Sequence, residues 1–138
     1  MIFLTRKEHF CASHRLFNPN WSQEQNYKVF GKCSHVHGHG HNYVLEVSVS
    51  GQIDKDTGLI FNLVTLKELI QKYVLDDVDH KHLNFDVPWL ANKIPTTEVL
   101  VDCIWQQLEK QMSDHGAKLH RVTVWETDKN SATKTWDC

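Results

Sequence analysis

The chain predicts an α+β fold of order ββααββ, a four-stranded antiparallel sheet carrying two helices on one face. Two observations predict it. Apolar residues alternate near both ends of the 138-residue chain and recur with helical period in its middle. The strand-like runs are also grouped at the ends instead of being interleaved with the helices, which favours antiparallel over parallel pairing.

Residues 2–16 read as the first strand. Ile2, Leu4, Phe10, Ala12, His14 and Leu16 share one parity, and Arg6 and Glu8 interrupt it, which predicts a bulge or bend at mid-strand. Residues 17–38 carry Asn-Pro-Asn, many polar side chains and two glycines, and read as one long loop of the kind that carries function. A second strand begins by His39. It sets Tyr43, Leu45, Val47 and Val49 on one face and Asn42, Glu46, Ser48 and Ser50 largely on the other. Gly51 starts its exit, and residues 54–58 form a turn.

Residues 63–75 switch to helical period, with Leu63, Leu66, Leu69, Ile70, Tyr73 and Val74 in one stripe and Asn62 as N-cap. Residues 79–95, with Pro88 and Pro95, read as irregular. A second helix over 97–112 turns Leu100, Val101, Ile104, Trp105 and Leu108 inward. Pro95 and Thr96 suit its start, and Gly116 lies beyond its end. Residues 120–126 alternate again, and 132–136 read as a last short strand. Such a sheet leaves edges open, which predicts closure by oligomerisation.

The composition excludes several classes of function. Apolar residues make up 41% and charged residues 23%, ordinary for one soluble domain over 1–138. A net charge of −2 offers no basic field for nucleic acid. No apolar run approaches the roughly 20 residues of a membrane span. The N-terminus meets charge after five residues and has no signal-like apolar run, so a cytoplasmic location is expected. The cysteines Cys11, Cys33, Cys103 and Cys138 form no C-x-x-C pair, and no disulfides are expected.

Ten histidines are unusual for this length, and His35, His37, His39 and His41 fall within seven residues. On a strand, His39 and His41 point to the same face. A third imidazole from another strand would complete a three-histidine set with an open position, the arrangement of catalytic zinc. His14 ends a strand whose same-parity neighbours Phe10 and Ala12 are apolar, so it faces inward and is the best third ligand. Spacing leaves His35 and His37 open as alternatives, because they share parity with His39 and His41, and His9 is a further competitor. Gly38 and Gly40 point to close backbone approach in this tract.

Other residue types carry chemistry. Cys33 sits beside Lys32 and near the histidines, where neighbouring cations favour thiolate, a base or nucleophile. Asp79 beside His80 is a carboxylate able to orient an imidazole, and His82 competes for that role. Thr96-Thr97-Glu98 is first a helix-start signal. Glu126 shares parity with Val122 and Val124, so it can turn inward, where a carboxylate suits bidentate recognition of an amidine-like ring edge. An exposed glutamate at a strand end is the commoner case. No nucleophile elbow or phosphate-binding glycine loop occurs.

Taken together, these segments resemble the 6-pyruvoyl-tetrahydropterin synthase family along nearly the whole chain. The resemblance is carried by Ala-Ser-His-Arg-Leu at 12–16, Phe-Gly-Lys-Cys at 30–33 and Gly-His-Gly-His-Asn-Tyr at 38–43. It continues in Gly-x-Ile-Asp-x-x-Thr-Gly at 51–58, Asp-His-Lys-x-Leu-Asn at 79–84, Thr-Thr-Glu at 96–98 and Glu-Thr-Asp at 126–128. It implies a tunnelling fold in which three subunits close a β-barrel and two trimers stack into a homohexamer, with active sites at subunit interfaces. It implies Zn2+ on His14, His39 and His41, Cys33 as general base, Asp79 and His80 as a proton relay, and Glu126 as anchor of the pterin ring, assisted by Thr96 and Thr97. The implied substrate is 7,8-dihydroneopterin triphosphate, which loses triphosphate to give 6-pyruvoyl-tetrahydropterin in tetrahydrobiopterin-type biosynthesis. A sister branch makes 6-carboxy-5,6,7,8-tetrahydropterin for queuosine and other deazaguanines. Cys33 precedes His39 by six residues, which resembles the pyruvoyl-forming branch. His35 and His37 depart from the family's usual polar residues there.

A reading from another class is a non-catalytic, histidine-rich metal-binding protein, and a further one is an inactive pterin binder. A metal buffer has no use for Cys33, Asp79, His80 and Glu126, whereas the lyase needs all four around one metal.

Overall fold

The computed structural model describes residues 1–137, and Cys138 lies outside them. Strand β1 (Phe3–His14) pairs antiparallel with β2 (His39–Ser50) without interruption, from Phe3 opposite Ser50 to His14 opposite His39. The expected bulge in β1 is absent. Arg6 and Glu8 share the face of Leu4 and Phe10, and they form a 2.8 Å ion pair with each other. Charge pairing at the half-buried end of the sheet absorbs the break in apolar pattern, and the backbone stays regular. A register shift does occur on the other side of β2, at Ser48/Val49, where it pairs with β4 (Lys118–Trp125).

The sheet has five strands instead of the four expected, in the order β3-β1-β2-β4-β5. Strand β5 (Ser131–Thr135) forms one edge. The added strand β3 (Lys81–His82) lies parallel to β1 at the other edge, within the stretch expected to be irregular. Two residues carry no readable alternation, so only pairing reveals it.

The expected loop over 17–38 is also more ordered than its composition implies. It contains helix α1 (Gln23–Phe30) and a 3₁₀ turn, Gly31–Ser34. Ser22 caps α1, its hydroxyl accepting from the Gln25 N–H at 3.1 Å. The buried anchor of this segment is Asn26, not an apolar stripe. Its amide nitrogen donates to the carbonyls of Asn18 at 3.0 Å and Ser22 at 3.1 Å, and its amide oxygen accepts from the Asn18 N–H at 2.7 Å. A helix fixed by a polar hub has no hydrophobic period to betray it.

Helix α2 (Leu63–Ile70) is capped by Asn62, whose side chain accepts from the Val64 and Thr65 N–H groups. It continues as a π-helical stretch, Gln71–Leu75, and a final turn, α3 (Asp76–Val78), which delivers the chain to Asp79. The predicted stripe is buried at Leu66, Leu69, Ile70 and Val74, whereas Leu63 remains exposed. Helix α4 (Thr97–Asp114) buries Leu100, Val101, Ile104, Trp105 and Leu108 as expected, with Thr96 as N-cap. These side chains and Tyr43, Leu45, Val47 and Val49 of β2 form one continuous core. No helix among the described residues is long and apolar enough to cross a membrane.

Replacing Asn26 by Ala strips the 17–30 segment of its buried hub and leaves backbone groups unpaired. The expected loss is about 1–3 kcal/mol in denaturant unfolding. Hydrogen exchange should also quicken at Asn18 and along α1 while β1 and β2 stay protected. Unchanged exchange in α1 would show that the hub does not hold it.

Candidate metal centre

The β1–β2 ladder ends with His14 opposite His39, and Ala12 opposite His41. Alternation turns His14, His39 and His41 to the same, helix-covered side. Their ligating nitrogens all lie within 4.8 Å of one another. His14 is fully buried and the other two half-buried. The rings stand edge to face, with centroids 4.7 Å (His14–His39), 4.9 Å (His39–His41) and 5.2 Å (His14–His41) apart.

The polar surroundings fix which nitrogens face inward. His14 Nδ1 donates to the Pro95 carbonyl at 2.8 Å. In the neutral imidazole this leaves Nε2 as a bare lone pair. That Nε2 lies 3.1 Å from His39 Nε2. His41 Nε2 is buried and has no hydrogen-bond partner among the described residues. A buried polar atom left unpaired is costly. Three imidazole nitrogens converging on one point, one bare and one orphaned, are what a divalent cation would satisfy, so the donor set fits a metal ion. A set of three imidazoles would also leave a fourth coordination position open.

Burial holds the His14 and His39 imidazoles below their ordinary value of 6.5, and the neighbouring imidazoles add to the effect. Both causes favour the neutral form that can bind metal. Tyr43, buried beneath the triad, has its phenol pushed up by burial and stays protonated. Its ring packs against His41 and His14 and limits their movement.

Glu126 does turn inward. It follows β4, with its oxygens 3.6 Å from His41 Nε2 and 4.0 Å from His14 Nε2, too far for direct hydrogen bonds. Thr97 Oγ1 donates to Glu126 Oε2 at 2.8 Å and fixes the carboxylate beside the metal position. Thr96 instead caps α4, its hydroxyl accepting from the Val99 N–H at 3.2 Å. The helix-start reading of Thr96 therefore holds, and of the pair it is Thr97 whose side chain meets Glu126.

Cys33 lies half-buried in the 3₁₀ turn that precedes β2, and its carbonyl accepts from the Leu16 N–H at 2.8 Å. Arg15 reinforces this tie. Its Nε donates to the Ser34 carbonyl at 2.9 Å, and its guanidinium stacks 4.0 Å from the centroid of Phe17. A cavity of about 770 Å3 opens between this turn, α1 and His39, lined in part by Arg15, Asn26, Tyr27 and Lys32.

Asp79 and His80 sit elsewhere. Asp79 Oδ1 is 3.0 Å from His80 Nδ1, and both side chains are largely exposed. The pair is clamped to the β1 edge at Cys11, whose N–H donates to Asp79 Oδ1 at 2.9 Å and whose carbonyl accepts from the His80 N–H at 2.6 Å. His80 adopts a left-handed φ of 61°, an uncommon backbone for this residue that the clamp sustains. Cys11 lies three residues from His14 along β1, roughly 10 Å. Among the described residues, no hydrogen bond joins the Asp79–His80 pair to the three histidines.

The family model for 6-pyruvoyl tetrahydropterin synthase matches residues 3–135. The chain belongs to this family. It is 45% identical over 130 residues to the 6-pyruvoyl tetrahydrobiopterin synthase of Drosophila melanogaster, a match covering 94% of this chain and 77% of that one. The protein of the same name from Homo sapiens is 42% identical over 127 residues, covering 92% of this chain and 86% of the relative. Among solved structures, Caenorhabditis elegans 6-pyruvoyl tetrahydropterin synthase matches with a TM-score of 0.91 at 34% identity, over 99% of this chain and 96% of that one.

Within this family member, sequence reasoning alone did not single out Arg15, Asn26, Tyr43 or the Pro95 carbonyl as parts of the site's frame. The spacing Ser22-x-x-Gln25 has the form of a capping box and is the signal by which α1 could have been found. A carbonyl that orients a histidine leaves no trace in residue type.

Two outcomes follow from the geometry. Substituting Ala for His14, His39 or His41 should weaken metal affinity by more than the ~10–100-fold typical of losing an outer-shell partner, measured by chelator competition. The metal-free protein should also lose stability in acid. With folded values depressed, the neutral His14 and His39 contribute stability that is present above 6.5 and lost as pH falls through those values. Melting temperature against pH should fall less steeply for His14→Gln than for the wild type.

Proposed function

We propose that the chain is a zinc-dependent lyase that converts 7,8-dihydroneopterin triphosphate to 6-pyruvoyl-tetrahydropterin with release of triphosphate. The observation that carries this reading is the convergence of three imidazole nitrogens beside a carboxylate that Thr97 holds in place. A metal buffer has no need of that carboxylate. The names of the relatives favour the pyruvoyl product over the carboxy one, in line with the six-residue spacing from Cys33 to His39.

His14, His39 and His41 would hold Zn2+, which fits a three-nitrogen open site. Bound there, zinc supplies Lewis acidity that polarises side-chain oxygens and acidifies adjacent C–H bonds. Glu126 accepts two hydrogen bonds from the amidine-like edge of the pterin, and Thr97 keeps its carboxylate in the plane this requires. Thr96 assists by fixing the start of α4. Cys33 removes a proton from the substrate side chain as general base. His80, oriented by Asp79, returns or relays a proton.

The Asp79–His80 pair sits at the β3 edge with His80 exposed and no hydrogen bond to the triad, which supports an active site shared between subunits. Strand edges β3 and β5 are open, and the sheet face opposite the helices carries exposed Thr5, Lys7, His9 and Cys11. Closure of three subunits into a barrel would pair the edges and turn that polar face toward a solvent-filled tunnel, with a stacked pair of trimers as the homohexamer. Each chain then acts as one pterin-synthase-like domain in the cytoplasm.

Zinc-loaded protein incubated with 7,8-dihydroneopterin triphosphate should yield triphosphate and a pterin with the mass of the 6-pyruvoyl product. A 6-carboxy product with acetaldehyde would assign the chain to the deazaguanine branch, and binding without turnover would sink the lyase reading. Cys33→Ala should lower turnover by about 10²–10⁴-fold while retaining zinc.

A further inference from the structure

His35 and His37 stand outside the triad, and nothing in the proposed reaction uses them. Both are exposed. They flank Val36 in a turn that the His35 N–H enters by donating to the Lys32 carbonyl at 3.2 Å. The Gly38 N–H closes it by donating to the His35 carbonyl at 2.9 Å. Their ring centroids lie 5.7 Å apart at an interplanar angle of 46°. That spacing is within about an ångström of the three ring spacings in the triad, which run from 4.7 to 5.2 Å. His35 Nδ1 accepts only a long contact, 3.4 Å, from the His37 N–H, which is too weak to hold the ring against a competing metal ligand.

The turn is also fixed in place. Gly38 has a left-handed φ of 72°, and a Cβ there would meet the His14 carbonyl oxygen at 2.8 Å. Only glycine lets the turn seat this closely on the strand end that carries the inner site. The two imidazoles are thus held as a pair by backbone geometry, at the cavity that His35 shares with His39.

We propose that His35 and His37 form a second, outer metal site: a bidentate imidazole pair that takes a divalent cation of the zinc, copper or nickel type, with water completing its shell. Imidazole ligands select these metals over calcium or magnesium. Zinc–nitrogen bonds are about 2.0–2.1 Å, and both rings are exposed, so side-chain rotation can bring a nitrogen of each to one ion. Two ligands in open solvent bind less tightly than three in a buried pocket, so the outer site fills after the inner one.

The test is titration of the full-length, metal-free protein with Zn2+ against a chromogenic chelator near neutral pH. The wild type should bind one tight equivalent and a second, weaker one per chain. The double variant His35→Asn/His37→Asn should keep the first and lose the second, and His14→Ala should lose the tight equivalent while retaining the weaker. A single equivalent in the wild type, or a weak equivalent that persists in the double variant, would overturn the proposal. Cu2+ should selectively broaden the NMR signals of the His35 and His37 rings once the inner site is filled with zinc, and unaffected signals would argue against them as ligands.

Discussion

The antiparallel register of β1 and β2 is the constraint on which the site depends. It sets His14 opposite His39 at the end of the ladder and His41 one alternation further along. Side chains alternate with period two, so a slip of one residue would turn all three imidazoles to the other face of the sheet. The register is secured far from the histidines. Tyr43, Leu45, Val47 and Val49 of β2, with Phe10 and Ala12 of β1, fill the core under α2 and α4 and would be expelled with them. The apolar pattern that folds the sheet is therefore the same pattern that assembles the three imidazoles.

Around this register, helix ends and loops supply orientation. The segment entering α4 does this twice: the Pro95 carbonyl sets the tautomer of His14, and Thr97 steadies Glu126. Thr96 between them caps the helix, which fixes both groups relative to each other. On the opposite side, Leu16 and Arg15 hold the Cys33 turn through its backbone carbonyls. The three imidazoles come from the sheet, and Glu126 and the Cys33 turn are held beside it by hydrogen bonds. Such a division gives the imidazoles little freedom to move apart.

Much of this was legible in the sequence, and the missing parts share one cause. Period-two and helical patterns located β1, β2, α2, α4 and β4, because each buries an apolar face, whereas β5, read as a short strand over 132–136, pairs with β4 with none of its side chains fully buried. Helix α1 was hidden because Asn26, a polar residue, is its anchor. Strand β3 was hidden because two residues show no period. The expected bulge in β1 failed because Arg6 and Glu8 neutralise each other on the inner face, an interaction that single-residue polarity does not reveal. At the site, spacing gave His39 and His41 as a same-face pair and could not dismiss His35 or His37. Chain pairing separates them: β2 begins at His39, so the two earlier histidines lie in a turn with no partner strand.

That boundary gives one tract of alternating histidines two kinds of chemistry. Spacing within His35-x-His37 and His39-x-His41 is identical, and all four side chains are the same. What differs is the environment. Beyond His39 the ladder carries the imidazoles toward the start of helix α4, where desolvation and the neighbouring His41 favour the neutral form of His39, and His41 Nε2 is left without a hydrogen bond among the described residues. Before it, the turn leaves His35 and His37 in water, where solvent competes for every ligand position. Burial raises the cost of leaving a nitrogen unpaired and so raises the gain from a cation that satisfies it. The point at which β2 begins is therefore the point at which an ordinary run of imidazoles becomes a buried, convergent set able to hold a metal ion.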